Sequence, residues 1–321
     1  MNEKQMTLGA SGFEKYAKTT RRARFLAEME RVVPWAELCA LIEPLYPRGE
    51  GGRPAVPLER MLRIHFLQHW FNLSDPAVEE ALYDSAAMRA FAGIDLGAEP
   101  APDETTVCKF RHLLEAHGLG RKLFEQVGGH LQAKGMKVSN GTIVDATIIN
   151  APSSTKNSCG RRDPQMHQVK KGNQWYFGMK AHLGVDQKHK LIHSVAATSA
   201  NIHDSHLLPE LLHGAETRVW GDSAYAGHTE TIRALAPKAK DLTQKRGRGY
   251  KYLSEQQRRI NRARSRVRAK AEHTIGVIKR IFGFTKVRYR GIAKNANRLF
   301  VACALANLFM VRHRLLRLQE A

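Results

Sequence analysis

Residues 141–150 read GTIVDATIIN. β-Branched side chains dominate the stretch, and their stiff χ1 suits a pleated strand. A strand alternates faces, so Asp145 shares a face with Ile143 and Thr147. A carboxylate in the middle of an apolar strand is costly to bury unless it is paired or binds a metal. The stretch therefore sets two expectations. A sheet begins here, and Asp145 is either a structural ion pair or part of a site.

Upstream of Gly135 the pattern is helical. TTRRARFLAEMERVVPW carries a helical apolar period ending near Pro34, LERMLRIHFLQHWFNL is apolar on most sides and reads as a buried helix, and SDPAVEEALYDSAAMRAFAG and PDETTVCKFRHLLEAHG start at Ser or Asp and stop at Gly. Downstream, WYFGMKAHLGVD and KLIHSVAATSA read as two more strands, followed by DSHLLPELLHG (helix), TRVWGDSAYAG (strand), HTETIRALA (helix) and KDLTQKR (strand). A long helix starts at the SEQQ capping box and runs from Ser254 to about Phe282, with Gly283 as its stop. The order β-β-β-α-β-α-β-α is that of a ribonuclease-H-like sheet. The predicted fold is an α/β domain of that type over residues 136–321, with a mixed five-stranded sheet and flanking helices. An all-α, helix-turn-helix-like domain precedes it over residues 1–135.

The 321 residues carry a net charge of +21, which calls for a polyanionic partner, nucleic acid before membrane. The apolar run Leu299–Val311 is shorter than the ~20 residues a bilayer span needs, so no membrane partner is expected. The N-terminal stretch has no apolar signal core. Cys39, Cys108, Cys159 and Cys303 show no CxxC spacing and read as reduced thiols of a cytoplasmic protein. Between the first two strands lies a long polar segment, residues 151–174, either a solvated loop or a DNA-contacting arm that includes Lys170 and Lys171.

Two further acids join Asp145. Asp222 lies at the exit of a strand in VWGDSAYAG. Glu272 is the lone acid in RRINRARSRVRAKAEHTIGVIKR, Arg258–Arg280, among nine Lys or Arg residues. Singly, each has an ordinary reading: buried pair, turn residue, helix surface. In a ribonuclease-H-like sheet the first and fourth strands are neighbours and the last long helix crosses them, so the three would meet. Clustered carboxylates in so basic a chain suit two hard divalent cations, as used in phosphodiester chemistry. Arg268 and Lys279, four before and seven after Glu272, fall on its helix face and can hold phosphates; Gly276 would let a strand of DNA approach.

These blocks resemble the DDE transposases of bacterial insertion sequences, specifically the insertion-sequence-five group. The likeness is carried by GTIVDATIINAPSSTKN, DPQMHQVKKGNQWYFGMKAHLGVD, TSANIHDSHLLPELL, WGDSAYAG and RAKAEHTIGVIKR, in that order. The resemblance places an acidic triad on Asp145, Asp222 and Glu272, and implies two Mg²⁺ ions, with Mn²⁺ able to substitute. Arg268 and Lys279 match the signature around the glutamate, whereas Ser265 stands where relatives have Tyr. It implies a DNA transposase that binds terminal inverted repeats, hydrolyses the ends to free 3′-hydroxyls and joins them to target DNA. Double-stranded DNA, a homodimer or larger assembly, and a bacterial, nucleoid-associated location are implied with it. The competing readings are a structure-specific nuclease on the same fold and a non-catalytic DNA-binding protein.

Other residues carry smaller expectations. Thr105, Thr106, Lys109 and Arg111, near the start of one helix, are candidate DNA contacts, with Val107, Phe110 and Leu114 as its core face. Arg264 and Arg266 are further DNA candidates. Asp204 reads as a helix N-cap in preference to a metal ligand. Trp220 is expected to pack under the Asp222 turn.

Overall fold

The computed structural model describes residues 18–47, 54–136, 138–158, 160–247 and 253–320. The expectations for the N-terminal stretch before Lys18 and for Cys159 lie outside them. Seven helices precede the first strand among the described residues: α1 (Arg21–Val32), α2 (Trp35–Ile42), α3 (Leu58–Trp70), α4 (Asp75–Asp84), α5 (Ala86–Ala92), α6 (Glu104–Ala116) and α7 (Leu119–Ala133). The starts of α1, α4, α5 and α6 are set by side-chain caps at Thr20, Ser74, Ser85 and Asp103, each accepting an otherwise unpaired helix N–H. Gly93 ends α5 in the left-handed region, at φ +68°. From Met61 onward nearly every residue of α3 is buried, as its all-round apolarity predicts.

The sheet has six strands, one more than expected: β1 (Gly141–Asn150), β2 (His167–Lys171), β3 (Gln174–Asp186), β4 (Ile192–Ser199), β5 (Arg218–Trp220) and β6 (Lys240–Asp241). β1 pairs antiparallel with β3 and parallel with β5, and β5 pairs parallel with β6. β3 also pairs antiparallel with β2 and β4. Leaving β2 aside, the order β4-β3-β1-β5-β6 is the ribonuclease-H-like arrangement the pattern predicts. The extra strand corrects the reading of residues 151–174 as all loop. Its polar sequence hid it, but Gly172-Asn173 between two extended runs was the available hairpin signal.

Short helices α8 (Leu208–Leu211) and α9 (Thr229–Leu235) bury Val144, Val219 and Tyr225 on one sheet face. On the other face lie α10 (Glu255–Gly276) and α11 (Ile292–Glu320). After Gly276 the chain widens into a π-helical turn, Val277–Ile281, where an unbroken α-helix was expected. Such turns are often found at functional sites.

α11 binds the two halves together. It packs on α7 and α1 of the helical layer and on β4 of the sheet. Asn307 hydrogen-bonds both the N–H and the C=O of Ile192, each at 2.8 Å. Asn297 accepts from Gly120 N at 2.8 Å, and a Cβ at Gly120 would come within 2.6 Å of the Asn297 carbonyl, so only glycine allows this approach. One hydrophobic core therefore runs from Leu26 to Leu315 across the change from helix to strand at Gly135. By length and apolar composition α11 would pass for a membrane span, which corrects the reading drawn from Leu299–Val311 alone; here 61% of its apolar window is buried in the protein.

Candidate active site

The parallel register of β1 and β5 places Ile143 beside Trp220. Two residues further along each chain stand Asp145 and Asp222, so both acids leave the sheet at the same level. α10 packs across β1 and β5 and brings Glu272 and Arg268 over this end. Asp145, Asp222, Glu272 and Arg268 line one cleft of about 450 Å³, together with Thr147, Lys170, Lys171, Lys180 and Asp204. Lys170 and Lys171 are exposed on β2, so the unexpected strand forms a basic wall of the cleft.

The acids are held individually. Asp145 Oδ1 accepts from Ala146 N at 3.0 Å, and Asp222 Oδ1 from Ala224 N at 2.8 Å, capping a turn of 3₁₀ helix. Asp145 is only 8% exposed. Burial raises its carboxyl to about 6; Arg268 opposes the shift, and the charges of Asp222 and Glu272 add to it. Arg268 Nη2 lies 3.6 Å from Asp145 Oδ2. Glu272 is exposed on α10.

The chemistry of this donor set fits a hard divalent cation. The donors are carboxylate oxygens, and burial disfavours the charge of the Asp145 carboxylate, which a cation beside it would favour. Among the described residues no three His, Cys, Asp or Glu side chains converge closely enough to enclose an ion. Among the described residues, the cation within 4 Å of Asp145 is the Arg268 guanidinium.

Several expectations are corrected here. Asp204 does not cap its helix. His203 does, while Asp204 faces the cleft with its Oδ1 2.8 Å from Lys180 Nζ. Lys180 also donates to the Ile202 carbonyl at 2.7 Å. The ring under the Asp222 turn is Tyr225, not Trp220: a Cβ at Gly221 would lie 2.9 Å from the Tyr225 ring, whereas Trp220 packs beside Gly141. The Tyr225 hydroxyl is buried with no hydrogen-bond partner, and burial followed by Asp204, Asp145 and Asp222 pushes its pKa upward. Gly276 is covered by the Arg280 guanidinium, so it opens no path for DNA. Sequence reading missed Lys180 and Tyr225, because a lysine in a strand and a tyrosine after a turn carry no local signature.

The basic residues divide. Lys279 reaches β1, donating to Ile148 O at 2.8 Å and Thr147 Oγ1 at 3.2 Å; burial, with Lys171 nearby, lowers its pKa. Arg264 donates to the Thr243 carbonyl, and Arg266 is exposed. Lys109 is exposed on α6, while Thr105 and Thr106 are tied to the Asp103 cap. Arg111 is not available to DNA. It is 7% exposed, pairs with Asp75 at 3.0 Å and Glu115 at 2.9 Å, and stacks on Tyr289. Sequence reading placed it in the N-terminal half of the helix as a DNA contact, but at i+4 from Val107 it falls on the core face.

Comparison with known proteins points the same way as the geometry. Residues 14–113 match a family described as Transposase domain (DUF772). In the solved structure of a piggyBac transposase synaptic complex with hairpin DNA, 78% of that chain aligns with 94% of this one, at 8% identity and TM-score 0.48, a likeness too slight to bear on function. Residues 137–308, which hold β1 to β6, α10 and every acid of the cleft, match the family described as Transposase DDE domain. That match takes in more than half of the chain, and the protein is therefore an enzyme of the DDE transposase family.

Proposed function

We propose that this enzyme belongs to the insertion-sequence-five group and moves such an element by cutting at its terminal inverted repeats and joining the freed 3′-hydroxyls to target DNA. The observation that carries the reading is the meeting of Asp145, Asp222 and Glu272 in one cleft walled by Arg268, Lys170, Lys171 and Lys180. Asp145, Asp222 and Glu272 would hold divalent metal, Mg²⁺ or Mn²⁺. When bound, such ions activate an attacking oxygen and neutralise charge on the departing one. Arg268 and the exposed Lys170 and Lys171 hold the phosphates that enter the cleft. Lys279, anchored on Thr147 and Ile148 of β1, supplies positive charge beside the cleft. Residues 1–135 would read the repeats through exposed α6 side chains such as Lys109, acting as a homodimer or larger assembly on double-stranded DNA.

The test is Glu272→Gln on DNA carrying the repeats that flank the gene. Cleavage is expected to fall by more than about 100-fold, the upper end for loss of a residue that only supports a ligand, with repeat binding kept. A pre-cut end incubated with plasmid and Mg²⁺ is expected to give joined product. Hydrolysis without joining would replace the reading with that of a nuclease.

A further inference from the structure

The segment after β6 is stitched to α10 by several hydrogen bonds, and Gln244 is their centre. Its backbone N–H donates to the Gly221 carbonyl at 3.0 Å, immediately before Asp222. Its side-chain Nε2 donates to Ser265 Oγ and, at 3.2 Å, to the Asn261 carbonyl. Its Oε1 accepts from Arg268 Nη1 at 3.3 Å. On either side, Arg264 donates to the Thr243 carbonyl, and Asn261 bonds both the N–H and the C=O of Lys245, at 3.2 and 3.1 Å. This small network fixes the height at which Arg268 stands beside Asp145.

The Arg268–Asp145 distance is unusual for such a pair. A guanidinium beside a buried carboxylate ordinarily closes into a two-pronged fork at hydrogen-bond distance. Here Nη2 stays 3.6 Å from Asp145 Oδ2, and Arg268 Nε is buried with no partner. The guanidinium is held off the carboxylate by the Gln244 carbonyl oxygen on Nη1. Ser265 makes this possible, since a small hydroxyl leaves Gln244 the space to reach Arg268.

We infer that Gln244, seated on Ser265, is a positioning residue that restrains Arg268 and so keeps Asp145 Oδ2 open to a metal ion. The inference rests on the reading of the three acids as metal ligands. Without Gln244, Arg268 Nη1 loses its acceptor, Nε already has none, and a carboxylate is within reach. It closes on Asp145 as a fork and competes with the cation.

The experiment measures Mn²⁺ binding to the full-length protein, free of DNA, by electron paramagnetic resonance, with thermal melts as a fold control. Four proteins are compared: unmodified, Gln244→Ala, Arg268→Ala and the double variant. Gln244→Ala is expected to weaken Mn²⁺ binding by about tenfold, in the range for residues that orient a metal site. The double variant is expected to match Arg268→Ala, because the loss acts through the arginine. Unchanged binding in Gln244→Ala overturns the inference. So does a double variant that stays as weak as Gln244→Ala. Should Gln244→Ala fail to fold, Gln244→Asn keeps the amide but shortens its reach, and the same losses are expected of it. If the unmodified protein binds no Mn²⁺, the metal-ligand reading of the acids fails with it, and that outcome is distinct from a protein that binds equally well with and without Gln244.

Discussion

Arg111 in the helical layer and Arg268 at the cleft are both guanidiniums beside an aspartate, at 3.0 Å from Asp75 and 3.6 Å from Asp145. Arg111 adds Glu115 and the face of Tyr289, so both of its Nη nitrogens are met, although its Nε, like that of Arg268, has no hydrogen-bond partner. Arg63 is likewise enclosed by Glu30, Glu59, Trp35 and Phe91, and Arg312 meets Glu28. These three cations are met by acids of the same chain. At the cleft the Arg268 guanidinium stands off from Asp145 at 3.6 Å, and burial pushes that carboxyl up to about 6. Charge satisfied internally makes a clamp. Charge left unsatisfied makes a place for a ligand.

That contrast can be challenged most directly at Arg111. Arg111→Ala is expected to cost about 3 kcal/mol or more in urea melts, since among the described residues it takes the only ion-pair partner from Glu115 and leaves Asp75 with Gln68 alone. Loss of DNA affinity at unchanged stability would move Arg111 to the ligand-binding side of the comparison.

A second test uses pH. Burial depresses His65 and His193 to about 4, and drives His69, 3.2 Å from His65, well below its usual value. Their folded-state pKa values lie below the unfolded value, so each is neutral when folded and gains a proton on unfolding. The stability they permit is complete above about pH 6.5 and falls as pH drops toward 4, by up to about 1.4 kcal/mol per pH unit for each group. Melts between pH 7 and 4.5 check this. A flat profile would show that these rings are not held neutral.

The smallest effect concerns the basic wall. Lys170→Ala with Lys171→Ala is expected to leave stability unchanged, because both side chains are exposed. The salt dependence of DNA binding should become shallower, by about 0.9 in log–log slope for each phosphate that is no longer neutralised. An unchanged slope would mean that β2 shapes the cleft without touching DNA.

Much of this architecture is readable along the chain. The limits of β1 follow from its β-branched run, and the positions of Asp145, Asp222 and Glu272 follow from strand, strand end and helix taken in order. What escaped has one physical cause. β2 is polar and exposed, so no apolar alternation marks it, and only its Gly-Asn turn betrays it. Asp204 satisfies the local rule for an N-cap, but Lys180, on a strand far away in sequence, takes its carboxylate instead.

Sheet order, the three acids, their basic surroundings and the family were all written in the linear chain, because these depend on periodicity, composition and motifs. Three-dimensional packing was needed to tell which basic residues are clamps and which face the cleft, that Tyr225 underlies Asp222, and that Gln244 reaches Arg268. Such choices are made by partners distant along the chain, Tyr289 for Arg111 and Gln244 for Arg268. Periodicity reports which way a side chain leaves its own helix or strand, and not what waits for it there.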